Sequence, residues 1–157
     1  MTTLAQVFGT STSFTLNGTA WAQAVTISST GLSIVGLSPV PDDLLITITG
    51  TVPNSALANQ KAVNVWFAVS EDGTHYTDND QYTGTNNTQT TLRSPTNFLG
   101  PFVIPCTQNV AFYGVTTLRQ WCGLCLPRAV GLILENQCGQ TITAPAATYT
   151  PITYTNS

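Results

Sequence analysis

The acidic segment at residues 71–80 is where charge concentrates in this sequence. Ca²⁺ takes about six to eight oxygen ligands from a flexible loop, so Asp72, Asp78 and Asp80 are candidate calcium ligands. Their spacing departs from that of an EF-hand, which needs a bidentate Glu at its last loop position. We favour a plain turn at Asp72 and Gly73, with the neighbouring acids in solvent.

His75 is the only histidine, so a hydrolytic triad would have to use it. No serine stands in a Gly-x-Ser-x-Gly turn, the arrangement that exposes a nucleophile at the end of a strand. Spacing alone does not exclude a carboxylate pair for glycoside hydrolysis, because the fold sets the separation, but most acids lie in one turn and the only others are Asp42, Asp43 and Glu135. We therefore expect a protein that is not an enzyme.

The four cysteines are Cys106, Cys122, Cys125 and Cys138. Cys122-Gly-Leu-Cys125 has the spacing of one zinc knuckle, and Cys106 with Cys138 could complete a tetrahedral site. Zinc ribbons pair two knuckles, and this sequence has one. Disulfides are a second alternative, which a reducing cytosol disfavours. Ordinary buried thiols are a third. The three alternatives stay open, and we expect no cofactor.

Short strands separated by turns must position these side chains. Residues 44–50 alternate in polarity as a half-buried strand does, and residues 62–69 are apolar on both faces, as in a central strand. Pro101 predicts an edge strand or a bulge around it. With Gly, Pro and Asn turns between the runs, the pattern predicts an all-β protein, an antiparallel β-sandwich with a jelly roll as the favoured form. Further candidate strands cover residues 21–28, 32–37, 98–104, 110–115 and 129–135.

Two segments depart from the strand pattern. Residues 79–97 are rich in Thr and Asn and predict a long surface loop of the kind that often makes contacts. Residues 141–157 contain two prolines, which argue against a central strand, together with apolar residues that do not suit an idle linker. An extended arm on a neighbouring subunit and a tail folded on its own domain explain this segment equally well.

The predicted organisation is one sandwich domain over residues 1–140 and an extended C-terminal arm over residues 141–157. Residues 1–10 are a candidate N-terminal arm. The candidate interaction residues are Tyr82 in the polar loop and Tyr149, Ile152 and Tyr154 in the tail.

Charge is scarce throughout the chain. Charged residues make up 7% of it, against roughly 25% in an average soluble domain. A chain with so little charge often hides much of its surface in an assembly, or lives outside the crowded cytosol, and we favour the assembly. The permanent cations, which are scattered and form no basic stripe for nucleic acid, are Lys61, Arg93, Arg119 and Arg128.

No apolar run approaches the ~18 residues of a membrane span, and the first residues lack the features of a secretory signal. We therefore expect no membrane partner and synthesis in the cytoplasm.

Three stretches resemble small structural proteins of tailed-bacteriophage virions. Residues 63–78 combine an apolar strand with a Ser-x-Asp-Gly-x-x-Tyr-Thr-Asp turn, and residues 94–97 read Ser-Pro-Thr-Asn. Residues 126–136 follow the pattern Leu-Pro-x-x-x-Gly-Leu-Ile-Leu-Glu-Asn. The resemblance spans residues 62–136. It does not extend to the Trp121–Cys125 stretch, so it implies no role for the cysteines.

The resemblance implies a capsid decoration or cement protein on the outer surface of the virion. Such a protein would bind the major capsid protein. Proteins of this family typically form trimers, so the resemblance also implies a homotrimer. A tail, neck or fibre-attachment protein of the same virion is the alternative. A carbohydrate- or receptor-binding sandwich is a third hypothesis, in which Trp21, Trp66, Trp121 or the tyrosines would stack on sugar rings.

Overall fold

Alternating apolar residues fold this chain into β-strands joined by short turns. The computed structural model describes residues 4–18, 20–57, 61–77, 82–85, 88–89 and 98–156. The described elements are β1 (Leu4–Phe8), β2 (Thr12–Ser13), β3 (Ala20–Trp21), β4 (Thr26–Ser28), β5 (Leu32–Ser33), β6 (Asp43–Thr51), β7 (Ala62–Ser70), β8 (Thr88–Gln89), β9 (Leu99–Pro105), β10 (Ala111–Thr117), α1 (Arg119–Cys122), β11 (Ala129–Asn136) and β12 (Ile142–Asn156).

The strands form two antiparallel sheets. Sheet I has the order β1-β12-β6-β10, and the short strands β2 and β3 also pair with β12. Sheet II has the order β8-β4-β11-β7-β9, and β5 pairs with β11. The predicted all-β antiparallel sandwich is therefore confirmed, while the jelly-roll form stays a prediction.

The main core lies between the two sheets. Sheet I contributes buried residues such as Ile46 and Ile48, and sheet II contributes Val65, Phe67 and Leu132. Successive side chains of a strand point to opposite faces. The alternation in β6 therefore places Leu45, Thr47 and Thr49 on the outer side of the sheet. Burying this apolar area supplies most of the free energy that holds the two sheets together.

A second, smaller core covers the outer side of sheet II. We call it the tyrosine cluster; it consists of Ala68, Tyr76, Tyr82, Phe98, Ala129 and Ile133, with Trp66 packed against it. The rings of Tyr76 and Tyr82 meet edge to face with centroids 4.9 Å apart. Strand β7 thus has a core on each face, and it lies between β11 and β9, as predicted for a central strand.

The C-terminal segment belongs to the domain, and the predicted extended arm is wrong for the folded single chain. Strand β12 lies inside sheet I, paired with β6 on one side and β1 on the other. Its Ile142, Ala147 and Tyr149 are part of the main core. The alternative of a tail folded on its own domain is correct.

The prolines of β12 do not exclude a central position, contrary to the sequence-based argument. Pro151 O accepts a hydrogen bond from Gly9 N at 2.8 Å, so the nitrogen of Pro151 also points toward the β1 side of the sheet. Strand β1 has ended at Phe8, so no strand partner is lost there. Pro145 falls where the register of β12 against β6 shifts, between Thr143 and Ala146.

Two further strand predictions need correction, and one is confirmed. The candidate N-terminal arm includes β1, which pairs with β12 over its full length. The predicted strand at residues 21–28 divides into β3 in sheet I and β4 in sheet II, because the turn around Ala24, with a positive φ of 56°, interrupts it. Strand β9, which contains Pro101, ends sheet II and shifts its register against β7, as predicted.

Candidate docking surface

The acidic turn after β7 is built around one carboxylate. Asp72 Oδ1 accepts hydrogen bonds from Thr74 N at 2.8 Å, His75 N at 2.7 Å and Ser70 Oγ at 3.0 Å. Its Oδ2 contacts His75 Nδ1 at 2.6 Å. The hydrogen bond from the His75 side chain, followed by those from the two backbone N–H groups, holds the pKa of Asp72 well below its usual range. Asp72 therefore caps its own turn.

The candidate calcium site is not assembled by the part of the chain that the structure describes. The four hydrogen bonds to Asp72 occupy the oxygen positions that a cation would need. Asp78 and Asp80 lie outside the described residues. The turn interpretation thus accounts for Asp72.

Ser70, Asp72 and His75 meet in this turn in an order unsuited to nucleophilic catalysis. A catalytic triad places the histidine between the serine and the carboxylate, so that the ring takes the serine proton. Here the carboxylate of Asp72 lies between the other two and accepts from both. Ser70 Oγ accepts in turn from Gly73 N at 2.9 Å. The group stabilises the turn and does not activate the hydroxyl.

The four cysteines do not come together. Cys106 and Cys138 are buried near each other, whereas Cys122 and Cys125 lie at α1 and the turn that follows it. Burial, with a smaller effect of the Cys138 thiol, raises the pKa of Cys106 to about 12. Burial also raises the pKa of Cys122 to about 11, with Asp43 and Glu71 adding to the effect.

The four-cysteine zinc alternative is wrong. Over the described ranges, no group of three or more His, Cys, Asp or Glu side chains could hold a metal ion. All four thiols are free in the structure. Cys106 and Cys138 are ordinary buried thiols, and Cys125 is exposed.

The tryptophans are held inside the domain. Trp21 is fully buried and donates its Nε1–H to Val25 O at 2.6 Å. Trp121 stacks on Phe67, with ring centroids 5.6 Å apart, and donates to Thr116 Oγ1 at 2.9 Å. Trp66 packs on the tyrosine cluster. Trp21 offers no ring face to a sugar, whereas Trp66 and Trp121 are half-buried.

Three of the four candidate interaction residues are buried by their own chain. Tyr82 is 1% exposed and donates its hydroxyl to Ser29 O at 2.9 Å, so it anchors its segment to the sheet. Tyr149 packs edge to face on Phe14, and Ile152 is 1% exposed. Only Tyr154, at 37% exposure, is open to a partner in this conformation.

The outer side of sheet I is an uncovered surface. Along β10, Phe112, Gly114 and Thr116 are buried, while Tyr113 is 70% exposed and Val115 is 39% exposed. Residues directly paired across strands share a face. We call this surface the open face; its members on β6, β10 and β12 are Leu45, Thr47, Thr49, Ala111, Tyr113, Val115, Ala146, Thr148 and Thr150.

The open face carries no charge. Asp43 is the only charged residue of β6, β10 and β12, and it lies on the same side of the sheet at the start of β6, opposite Ile152. Both residues are buried, and Asp43 accepts hydrogen bonds from Leu44 N and Arg119 N, so no charge is exposed on the open face. Within the described residues, the buried apolar clusters lie between the sheets and on sheet II, and none lies on the outer side of sheet I. The two outer sides of the sandwich therefore differ: one is covered by its own chain and the other is open.

A second uncovered feature of sheet I is its edge strand β1. Its exposed apolar residues are Leu4 at 63%, Val7 at 46% and Phe8 at 54%. Sequence reasoning missed both surfaces. The apolar residues of β1 and β10 were visible, but which side of each strand faces the core depends on pairing that the sequence does not show.

Known proteins add no assignment. No protein-family model matches the chain, and a search of curated proteins finds no significant match. Among the described residues, no helix has the length and apolar character needed to cross a bilayer.

Proposed function

We propose that this chain is a structural virion protein, a decoration or cement protein that binds the outer surface of a capsid as an oligomer. Its partner is the major capsid protein, and its role is to stabilise the shell without catalysis. The resemblance of residues 62–136 to phage virion proteins supports this class of function. The observation on which the proposal rests is the uncharged open face of sheet I.

The chemistry of the open face suits a protein partner. The face offers apolar contact area from the threonine methyl groups, the ring of Tyr113 and the methyl groups of Val115. Burying such area contributes about 25 cal/mol per Å². Threonine and tyrosine hydroxyls can satisfy polar groups of the partner at the same time. With no ion to desolvate, the face can be buried without the cost that charged groups carry.

Strand pairing supports a jelly roll as the form of the sandwich. The pairs are nested along the chain: β1 with β12, β4 with β11, β6 with β10, and β7 with β9. From the outermost pair inward, these pairs alternate between the sheets: the first and third lie in sheet I, and the second and fourth lie in sheet II. A folded ribbon of nested antiparallel pairs distributed in this way is the arrangement of a double Greek-key jelly roll.

The test compares two exposed valines on opposite sheets. Val115→Lys places a charge on the open face, and Val103→Lys places the same charge on β9 of sheet II, where Val103 is 50% exposed. Each purified variant is added to shells of the parent particle that lack the protein, and bound protein is measured by co-sedimentation. We expect Val115→Lys to weaken binding by roughly tenfold or more, because a lysine must be desolvated in the contact, and Val103→Lys to bind as wild type. Equal binding by both variants, or no binding by wild type, contradicts the proposal.

Copy number separates cement from the alternative of a tail, neck or fibre-attachment protein. A cement protein covers the whole shell and is present in hundreds of copies, whereas a tail or neck ring has a small fixed number. Quantitative mass spectrometry of purified particles, referenced to the major capsid protein, gives this ratio directly.

Tyr113 favours carbohydrate binding as a second candidate function. Its ring is 70% exposed and lies opposite Thr49, which places a hydroxyl beside an open aromatic face. Sugars stack on such rings and bond to neighbouring hydroxyls. A glycan array probed with wild type and Tyr113→Ala tests this function; binding that the substitution abolishes supports it, and an array without binding excludes it.

A further inference from the structure

Strand β1 leaves one side of its backbone without a partner strand among the described residues. It is the first strand of sheet I and pairs only with β12. Gly9 N donates to Pro151 O, so the residues that bond to β12 alternate from Gly9 back through Val7 and Ala5. The N–H and C=O groups of Leu4, Gln6 and Phe8 therefore point away from the sheet.

This edge lacks the features by which single-chain proteins protect free strands. Natural edges carry lysine, proline or a bulge that prevents another strand from pairing. Residues 4–13 contain no charged residue and no proline, and β1 pairs with β12 in unbroken register. Leu4, Val7 and Phe8 are all exposed on it. A free, uncharged, apolar edge of this kind is a template for strand addition.

An antiparallel pairing of two copies of β1 about Gln6 places apolar residues opposite each other. When Gln6 faces Gln6 of a second copy, Leu4 faces Phe8 of that copy, and the reverse pair is identical. The residues placed in hydrogen-bonded pairs by this register are Leu4, Gln6 and Phe8, the same three whose backbone groups are free. The register thus satisfies all of the outward groups of both strands.

We propose that β1 pairs antiparallel with β1 of a second copy of this chain, about a two-fold axis at Gln6. Sheet I then continues from one molecule into the next, with the order β10-β6-β12-β1 repeated in reverse. A two-fold contact uses the same patch on both molecules, which is the commonest arrangement of homo-oligomers. The inference concerns self-association alone and is independent of the virion role.

The side chains of the pair match on both sides of the joined sheet. Leu4 packs beside Phe8 of the second copy, next to Tyr154, which pairs with Gln6 within each molecule. On the opposite side, Val7 lines a cavity of about 350 Å³ that also includes Leu37 and Pro39. On that side the proposed register places Val7 opposite Ala5 of the second copy, and β1 carries no charge to desolvate.

The contact is small, so its strength can be bounded. A five-residue edge with its flanking side chains falls below the ~1,200–2,000 Å² of a standard stable interface. We therefore expect a dissociation constant on the order of micromolar or weaker. A two-fold pair is also distinct from the trimer that the family resemblance implies, so molecular mass separates the two arrangements.

A charge-swap experiment at Gln6 tests the pairing, because only self-association at a two-fold axis brings residue 6 against itself. Gln6→Lys and Gln6→Glu each place like-charged side chains directly opposite each other, on Cα atoms about 5.5 Å apart, while a mixture of the two places opposite charges there. Gln6→Thr is the matched control, since it keeps the site uncharged. Sedimentation velocity is run from about 1 µM to 500 µM with reductant, which prevents disulfides through the exposed Cys125.

Wild type and Gln6→Thr should form a dimer whose population rises with concentration. Each charged variant alone should dimerise roughly tenfold more weakly, and the mixture should recover a heterodimer. Gln6→Pro should remain monomeric with an unchanged circular dichroism spectrum, because its lost N–H points away from β12. A wild type that is monomeric throughout, a trimer, or charged variants that dimerise as wild type does would each overturn the proposal.

Discussion

At the scale of single residues, Tyr82 shows how a side chain in a polar loop can serve the fold. The sequence around it is rich in Thr and Asn, which predicted a surface contact residue. In the structure its ring packs on Tyr76 and its hydroxyl reaches Ser29 O across the sheet. Gly131 beneath it leaves room for the ring, since a Cβ at that position would collide with the Tyr82 hydroxyl. Burial raises the pKa of this hydroxyl far above its usual value.

The first residue-level prediction concerns the Tyr82 hydroxyl. Tyr82→Phe should lower the free energy of unfolding by about 1–2 kcal/mol, because Ser29 O loses a buried hydrogen bond while the ring stays in place. Tyr113→Phe is the control; its ring is 70% exposed, so the change should stay within ~0.5 kcal/mol. Urea unfolding followed by fluorescence measures both. If both substitutions changed the free energy of unfolding by a negligible amount, the Tyr82 hydroxyl would not contribute a buried hydrogen bond to stability.

The second residue-level prediction concerns the thiols. At pH 8 an aromatic disulfide reagent should modify Cys125 quickly in the folded protein, because that side chain is exposed. Burial raises the pKa of Cys106 to about 12 and the pKa of Cys122 to about 11. Both thiols therefore hold little thiolate at pH 8 and should react slowly until denaturant is added.

The control for the thiol experiment is Cys125→Ser, which should abolish the fast phase and leave the slow one unchanged. Two fast phases of equal size in the wild type would mean that a second thiol is open to solvent. Such a result would contradict the slow reaction expected of half-buried Cys122 and of buried Cys106 and Cys138.

At the scale of elements, β12 decides how sheet I is built. It pairs with β6 over most of its length and with β1 at its far end, so it connects the edge strand to the rest of the sheet. Tyr149 contacts Phe14 from the segment after β2, which ties both ends of the chain into one core. The prolines that suggested an arm are tolerated because one faces the end of β1 and the other falls at a register shift.

The element-level prediction is that removal of residues 142–157 abolishes folding. The truncated chain loses the central strand of sheet I together with Ile142, Ala147 and Tyr149 from the core, a loss that exceeds the ~5–15 kcal/mol by which a domain is stable. Removal of residues 156–157 is the control and should leave a cooperative thermal transition. Amide dispersion in an NMR spectrum of the longer truncation would show instead that the segment is a dispensable arm.

At the scale of the whole molecule, the sandwich has one self-covered side and one open side. The tyrosine cluster covers sheet II, while sheet I presents the open face and the free edge of β1. These two surfaces are next to each other but differ in chemistry: the edge offers backbone hydrogen bonds, and the face offers threonines and Tyr113. A molecule built this way can pair through its edge and still present its face to another protein.

The sequence by itself determined the all-β class, the central position of β7 and the presence of an edge strand or a bulge around Pro101. Each follows from local chemistry, such as apolar residues on both faces of residues 62–69 and the missing N–H of Pro101. It also indicated a turn at Asp72, because Asp-Gly pairs favour that geometry.

Only the tertiary structure decided which strands meet and which side of each is covered. Strand partners are far apart in sequence, as β1 and β12 are, and a shift of one residue in register would exchange the buried and exposed faces. For that reason Tyr82, Tyr149 and Ile152 proved to be buried. Tyr113 and β1, which carry no local sign of exposure, form the surfaces on which the two proposals rest. Local patterns specify strands, but exposure is a property of the assembled sheets.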